Sequence, residues 1–208
     1  MSMNKQKGLL LVISGPAGSG KGTVVKEILG RHPEDFCLSV SATTRAPRPG
    51  EEHGVHYYFI DKPAFEERIG QGAMLEYAEY CGNYYGTPAD YVQKQLEEGK
   101  NVILEIEVQG ALKIKERFPD TLMIMITPPN FSTLEQRLRG RGTNTEEDIQ
   151  NRLAHSGWEL SNLERYDYAV INENGRADEA ADEIAAIVAS EKKRTCRNKD
   201  FAKIFFEN

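Results

Sequence analysis

The sequence predicts an α/β fold built on a parallel sheet, and three observations predict it. Apolar runs of strand length recur at Leu9 to Ile13, Val102 to Leu104 and Thr121 to Thr127, without the polar alternation of a strand that faces water. Stretches with helical apolar spacing lie between them, so strand and helix alternate. The first run passes through a glycine-rich turn directly into a helical stretch, Val24 to Leu29.

That turn organises the chain. Leu9 to Thr23 reads LLLVISGPAGSGKGT, and the spacing Gly15-x4-Gly20-Lys21 matches a P-loop. Glycine lets backbone N–H groups turn inward without a Cβ clash, and inward N–H groups at a helix start hold an anion. Gly15, Pro16, Ala17, Gly18, Ser19, Gly20, Lys21, Gly22 and Thr23 are therefore the candidate phosphate-binding residues, with Lys21 supplying a full charge. Gly22 stands where the consensus has Ser or Thr, and Thr23 follows one residue later. Thr23 is thus a displaced candidate for the Mg²⁺-binding hydroxyl. The bland alternative, a turn that only joins strand to helix, leaves the lysine and the glycine spacing unexplained.

A chain of 208 residues is one compact unit or a core with small inserts, long enough to bury most of its apolar surface. Its formal net charge of −6 disfavours a nucleic-acid binder, although an acidic chain can still gather cations at one site. Cys37, Cys81 and Cys196 are odd in number and lack metal-ligand spacing, which reads as reduced thiols of a cytoplasmic protein. The N-terminal apolar run is too short for a signal peptide, and no segment is long enough to span a membrane.

Past the first helix, Pro33 to Asp35 read as a turn and Phe36 to Ser41 as a strand. Ser41 to Glu51 has the prolines, glycine and charges of an exposed loop. Arg45 and Arg48, stiffened by Pro47, are either a paired phosphate grip or an ordinary solvated turn. Val55 to Ile60 reads as an aromatic strand, Phe65 to Ile69 as a short helix, and Met74 to Tyr80 as a strand carrying Glu76. Gly82 to Thr87 turns the chain, and Val92 and Leu96 mark a helix ending near Gly99. Glu105 and Glu107 share one face of the strand Asn101 to Val108, at the carboxyl end where ligands collect in parallel sheets. Glu105 is a second candidate for holding magnesium through water.

Pro128 and Pro129 close the next strand. Ser132 to Glu135 has the form of a capping box, opening a helix with Arg137, Arg139 and Arg141 that breaks at Gly140 and Gly142. Thr143 to Glu147 restart a helix with Ile149, Leu153, Leu160 and Leu163 on one face and Arg152 beside it. Two arginine-bearing helices joined through Gly-Arg-Gly read as a lid, with Arg139 on its solvated side. Tyr168 to Asn172 is a last strand, and Ala177 to Val188 a last amphipathic helix. The basic tail Lys192 to Lys203 reads as a frayed end, or as a subunit contact through Phe201, Phe205 and Phe206.

The P-loop, SVSATTRAPRPGE from Ser39, GNYYGT from Gly82, LEIEVQGA from Leu104 and RLRGRGT from Arg137, in that order, resemble guanylate kinase over nearly the whole chain. The resemblance implies a P-loop three-layer core (1–37, 91–128 and 167–208), a small mixed α/β GMP-binding insert (38–90) and a helical lid (129–166). It implies that Ser41, Arg45, Arg48, Glu51, Tyr57, Glu76, Tyr85, Thr87 and Glu107 hold GMP. Of these, Arg45, Arg48, Tyr57 and Tyr85 take its phosphate and Glu76 the guanine. Lys21, Arg137, Arg141 and Arg152 match the positions that handle the transferred phosphoryl group, and Asn172 one near adenine. ATP with Mg²⁺ and GMP are the implied substrates, with dGMP as a further acceptor and a homo-oligomer left open. Many members have Asp where Glu105 and Glu107 stand, and Ser or Thr at Gly22. The rival readings are a scaffold-type binding domain of the same fold and a kinase for another nucleoside monophosphate.

Overall fold

A computed structural model describes residues 7–80, 82–140, 145–199 and 206. Five parallel strands form the main sheet: β1 (Leu10–Ser14), β2 (Phe36–Leu38), β7 (Asn101–Glu105), β8 (Leu122–Thr127) and β9 (Tyr168–Ile171), in the order β2-β7-β1-β8-β9. Alternate residues of each strand enter opposite layers. Leu11, Ile13, Ile103 and Ile124 pack under α1 (Lys21–Arg31) and α7 (Ala177–Glu191). Val12, Val102, Leu104, Met123 and Met125 pack under α3 (Ala89–Glu97) and α4 (Val108–Arg117). Both faces are covered, which is why these strands read as continuous apolar runs. The result is a three-layer core.

The second sheet has four strands in the order β4-β3-β6-β5: β3 (Ala42–Thr43), β4 (Tyr58–Phe59), β5 (Met74–Tyr80) and β6 (Asn83–Pro88). One face, with Ala42 and Met74, is closed by Phe65 of α2 (Lys62–Gly70), which Asp61 caps by accepting from the Ala64 N–H at 2.8 Å. The other face presents Thr43, Tyr85 and Thr87.

Several expectations change here. The strand expected over Phe36 to Ser41 stops at Leu38, and Ala42–Thr43 belongs to the second sheet. Of Val55 to Ile60 only Tyr58–Phe59 is strand. Of Gly82 to Thr87 only Gly82 is turn: Asn83–Pro88 pairs antiparallel with β5. Its Tyr and Thr residues suit a pleated surface, and what the sequence did not show is that it pairs with the expected strand Met74–Tyr80. β7 ends at Glu105, so Glu107 is not on its face but is the residue preceding α4, with no side-chain bond to the helix start.

The helices α5 (Phe131–Arg139) and α6 (Glu146–Ser161) pack through Leu134, Leu138, Ile149 and Leu153, with Ala17 of the P-loop against them. Asn130, not Ser132, caps α5, because its carboxamide reaches the Thr133 N–H at 2.9 Å. The reciprocal capping box lies instead at Thr145 and Asp148 of α6. Arg139 bonds to Glu135 and Glu146, tying the two helices together on their exposed side. Leu163 lies beyond α6 in a single 3-10 turn. The tail is anchored as far as residue 199. Arg194 and Arg197 bond to buried Glu191, and Arg197 also reaches the Asp120 carbonyl. Phe201 and Phe205 lie outside the described residues, as does Cys81. Among the described residues no helix is long and apolar enough to cross a membrane.

Candidate active site

The main sheet places the P-loop at the carboxyl end of its central strand. Gly15 has φ 150°, and a Cβ there would lie 2.0 Å from the Ile126 carbonyl oxygen of the neighbouring strand. Gly20 has φ 86°, and a Cβ would lie 2.3 Å from Asn172 Nδ2. These close approaches make both glycines obligatory. Helix α1 starts at Lys21 with no side-chain cap and no acidic residue in its first turn; Thr23 and Val24 donate to the Gly20 carbonyl, which leaves the amides of Lys21 and Gly22 for an anion. Lys21 Nζ folds back over the loop and donates to the carbonyls of Gly15 and Pro16.

The loop is braced from outside. Arg137 of α5 donates to the carbonyls of Ser19 at 3.2 Å and Asn172 at 2.8 Å, and to Asn174 Oδ1. Its burial there lowers the guanidinium pKa from the ordinary value. Asn172 is 5% exposed and donates its side-chain amide to the Ser19 carbonyl at 2.8 Å. Arg137 and Asn172 thus converge on the P-loop backbone. Arg152 is exposed on α6, where its charge acts on Asp148. Arg141 lies outside the described residues.

Acids gather beside Lys21. A Cβ on Gly22 would lie 3.7 Å from Glu105 Oε1, so the missing hydroxyl leaves a gap next to a carboxylate. Desolvation raises the Glu105 pKa, Lys21 lowers it and Glu107 raises it again. Glu159 of α6 is 2% exposed and faces Glu107 and Lys21. Burial first, and Glu107 second, hold its carboxyl well above the usual carboxylate range, with Lys21 opposing. Tyr166 is buried alongside, its hydroxyl pushed up to about 12 chiefly by desolvation. Sequence reasoning missed Glu159, Tyr166 and Asn174. The signal for Glu159 was an acid on the apolar stripe that runs through Ile149, Leu153 and Ser156.

The open face of the second sheet carries the other half. Arg45 grips Glu51 with two bonds of 2.9 Å, and the Arg48 N–H donates to the same carboxylate at 2.7 Å. The Arg45 bond first, and the Arg48 N–H second, pull the Glu51 pKa down to about 2. The Arg45 guanidinium stands 5.6 Å from the Tyr57 ring, and Tyr57 meets Tyr85 edge-on at 6.2 Å. Arg48 itself is exposed. Phe59, which sequence reasoning passed over, lies 5.8 Å from the Arg45 guanidinium. At the other end of this face Thr87 Oγ1 donates to Glu76 Oε1 at 2.8 Å. Burial raises the Glu76 pKa, while Thr87 and Lys113 oppose it. The carbonyl of Ser41 accepts from the Tyr58 N–H at 2.8 Å, fixing the start of β3.

A parallel sheet that feeds its central strand into a phosphate-binding turn, joined to a side sheet with its own cation and carboxylate, makes this a P-loop kinase. The family model described as guanylate kinase matches residues 7–191. A guanylate kinase of Bacillus cereus is 48% identical over 205 residues, covering 99% of this chain and 98% of the relative. One from Halalkalibacterium halodurans is 51% identical over 189 residues, covering 91% of each. The crystal structure of guanylate kinase from Anaplasma phagocytophilum superposes with a TM-score of 0.69 at 35% identity, covering 94% of this chain and 92% of that one. The chain belongs to the guanylate kinase family. Its reaction is transfer of the terminal phosphoryl group of ATP to GMP.

Proposed function

We propose that the two halves of the site divide the two substrates as follows. ATP lays its phosphates in the loop Gly15 to Thr23, over the free amides of α1, with adenine toward Asn172. GMP lies on the open face of the insert sheet, its phosphate at Arg45, Arg48, Tyr57 and Tyr85 and its base at Glu76. Residues 38–90 then act as the GMP-binding insert and 129–166 as the lid, on a core of 1–37, 91–128 and 167–208. The observation that carries this reading is the insert face itself, with a cation cluster at one end and a half-buried carboxylate, Glu76, at the other.

The residues suit the chemistry. Guanine offers N1–H and N2–H₂ on one edge, and a carboxylate accepts both, whereas adenine would turn an acceptor toward it. The Thr87 hydroxyl, already given to Glu76, orients that carboxylate and leaves Ser41 to meet guanine O6. Glu51 fixes Arg45 in the plane needed to grip phosphate. Glu107, at the start of α4, completes the contacts to the base. Lys21 leaves its own loop carbonyls when a phosphate arrives. Together with Arg137 and the further lid arginines Arg141 and Arg152 it offsets the repulsion between two anions held in line. The attacking oxygen belongs to a phosphate already ionised at neutral pH, so no general base is needed.

Oxygen donors and an open gap at Gly22 and Glu105 fit a hydrated Mg²⁺ bound with ATP. Thr23 and Glu105 would hold it through water, and it would supply further charge neutralisation. The reaction belongs to purine nucleotide recycling in the cytoplasm, with dGMP as a second acceptor. The test is ADP release from ATP and Mg²⁺ with GMP, dGMP, AMP, UMP or CMP offered separately. Turnover with GMP and dGMP alone is expected. Turnover with AMP equal to that with GMP would remove Glu76 as the base reader.

A further inference from the structure

The insert sheet has two faces, and the second also carries a site. A cavity of about 420 Å³ opens behind the sheet, on the side opposite Thr43, Tyr85 and Thr87. That volume is within the range of small-molecule sites. Its walls come from the insert and from α3 at once. Ala42 and Tyr58, neighbours in register, floor it, and Tyr91 and Lys94 of α3 form the far side. The aromatic surface is continuous at one end, where His53 and Tyr58 meet edge-on at 5.7 Å. His53 is held there because its Nδ1 accepts the Phe59 N–H at 3.2 Å.

The charges have a sign. Arg68 and Lys94 line the cavity against one acid, Asp90. The Arg68–Asp90 contact is 3.7 Å, too long for a hydrogen bond, and it joins α2 to α3 across the opening. Two cations, one anion and flat aromatic walls select for a ring that carries a negative group. We propose that this cavity is an effector site for a small planar aromatic molecule bearing one anionic group, a carboxylate or a phosphate. Such a ligand would bridge the insert and α3 and press on β3, β4 and β6 from behind. Those three strands present Thr43, Phe59, Tyr85 and Thr87 on the other side. The occupant therefore sets the angle at which the acceptor face meets the core.

The test titrates benzoate and phenyl phosphate, by calorimetry, into protein saturated with GMP and a non-hydrolysable ATP analogue, so that both nucleotide sites are filled. One saturable site per chain is expected, and the tighter probe distinguishes a carboxylate from a phosphate ligand. Arg68→Gln and Lys94→Gln should each weaken it about tenfold or more, with unchanged circular dichroism. The tighter probe should also shift the KM for GMP in the parent protein and not in Lys94→Gln. No saturable binding by either probe, or full binding in both variants, overturns the site. Binding with an unmoved KM overturns the coupling. Only the KM arm rests on the placing of GMP on the front face, so the two failures are told apart.

Discussion

The P-loop and the open face of the second sheet, the two places proposed to take phosphate, are built from different material. The P-loop is backbone. Its shape follows from Gly15 and Gly20, each pressed against a neighbour that no side chain could share, and its donors are the amides that start α1. The insert face is side chains. Arg45 is held by Glu51, Tyr57 stands against Tyr85, and Glu76 is held by Thr87, all brought together by pairing between short strands. A backbone site tolerates change around it and fails when its own few residues change. A side-chain site loses function in graded steps, one contact at a time.

The comparison can be broken most sharply at Lys21. Lys21→Met should lower kcat by about 10³-fold, because charge neutralisation dominates phosphoryl transfer. Thermal unfolding should stay within a few degrees, since the partners Lys21 loses are two carbonyls of its own loop. A variant with half the parent kcat would remove the lysine from the chemistry.

On the insert, Glu76→Gln should cost about 10²-fold in kcat/KM for GMP, because one acceptor for the guanine edge becomes a donor. The KM for ATP should not move. Equal losses for both substrates would mean that Glu76 holds the insert together instead of reading the base.

Glu51→Gln should raise the KM for GMP about tenfold by freeing Arg45 from its plane. The sign with pH follows from the depressed pKa of Glu51. Its stabilising contribution is complete above the ordinary value of 4.5 and disappears as pH falls toward about 2. The difference in unfolding temperature between parent and variant should therefore shrink between those values. A constant difference would show that the bond contributes nothing as a charge pair.

The smallest effect is expected at Glu159, where α6 and the core meet. Its folded-state pKa is raised, so the native state holds a proton that the unfolded chain releases, and stability declines as pH rises above about 4.5. Glu159→Gln lacks that decline. Its Tm, by calorimetry, should exceed the parent's by about 3 °C at pH 8 and by less at pH 5. The reverse order would mean that Lys21 outweighs both burial and Glu107.

The same contrast explains what was legible. The strands at Leu10–Ser14 and Leu122–Thr127 were found within a residue or so, since a strand buried on both faces needs only apolar residues in a row. In the insert the strand Met74–Tyr80 and the helix at Phe65 to Ile69 were found, but the shorter strands were misread. Two-residue strands at Ala42–Thr43 and Tyr58–Phe59 have no period to detect, and Asn83–Pro88 carries glycines and tyrosines that suit a turn as well as a strand. Arg45, Glu51, Tyr57 and Tyr85 converge although their strands were misplaced, because the ordered resemblance named them directly. Glu107 was placed on the strand with Glu105, but the chain leaves the sheet after Glu105 and begins a helix.

By itself the sequence determined the parallel core, the phosphate turn and the order of the parts, because each is set by local spacing: glycines that permit a turn, apolar runs that must be buried, and helical periods that cover them. Tertiary structure alone decided that Asn172 and Arg137 brace the P-loop from 118 and more residues away. It also decided that Glu159 lies buried against Glu107 and Lys21, and that the insert sheet has a second face with its own cavity. Those outcomes depend on which side chains meet across the fold. Burial and the neighbouring charge then set their protonation and their shape, and neither exists until the layers have packed.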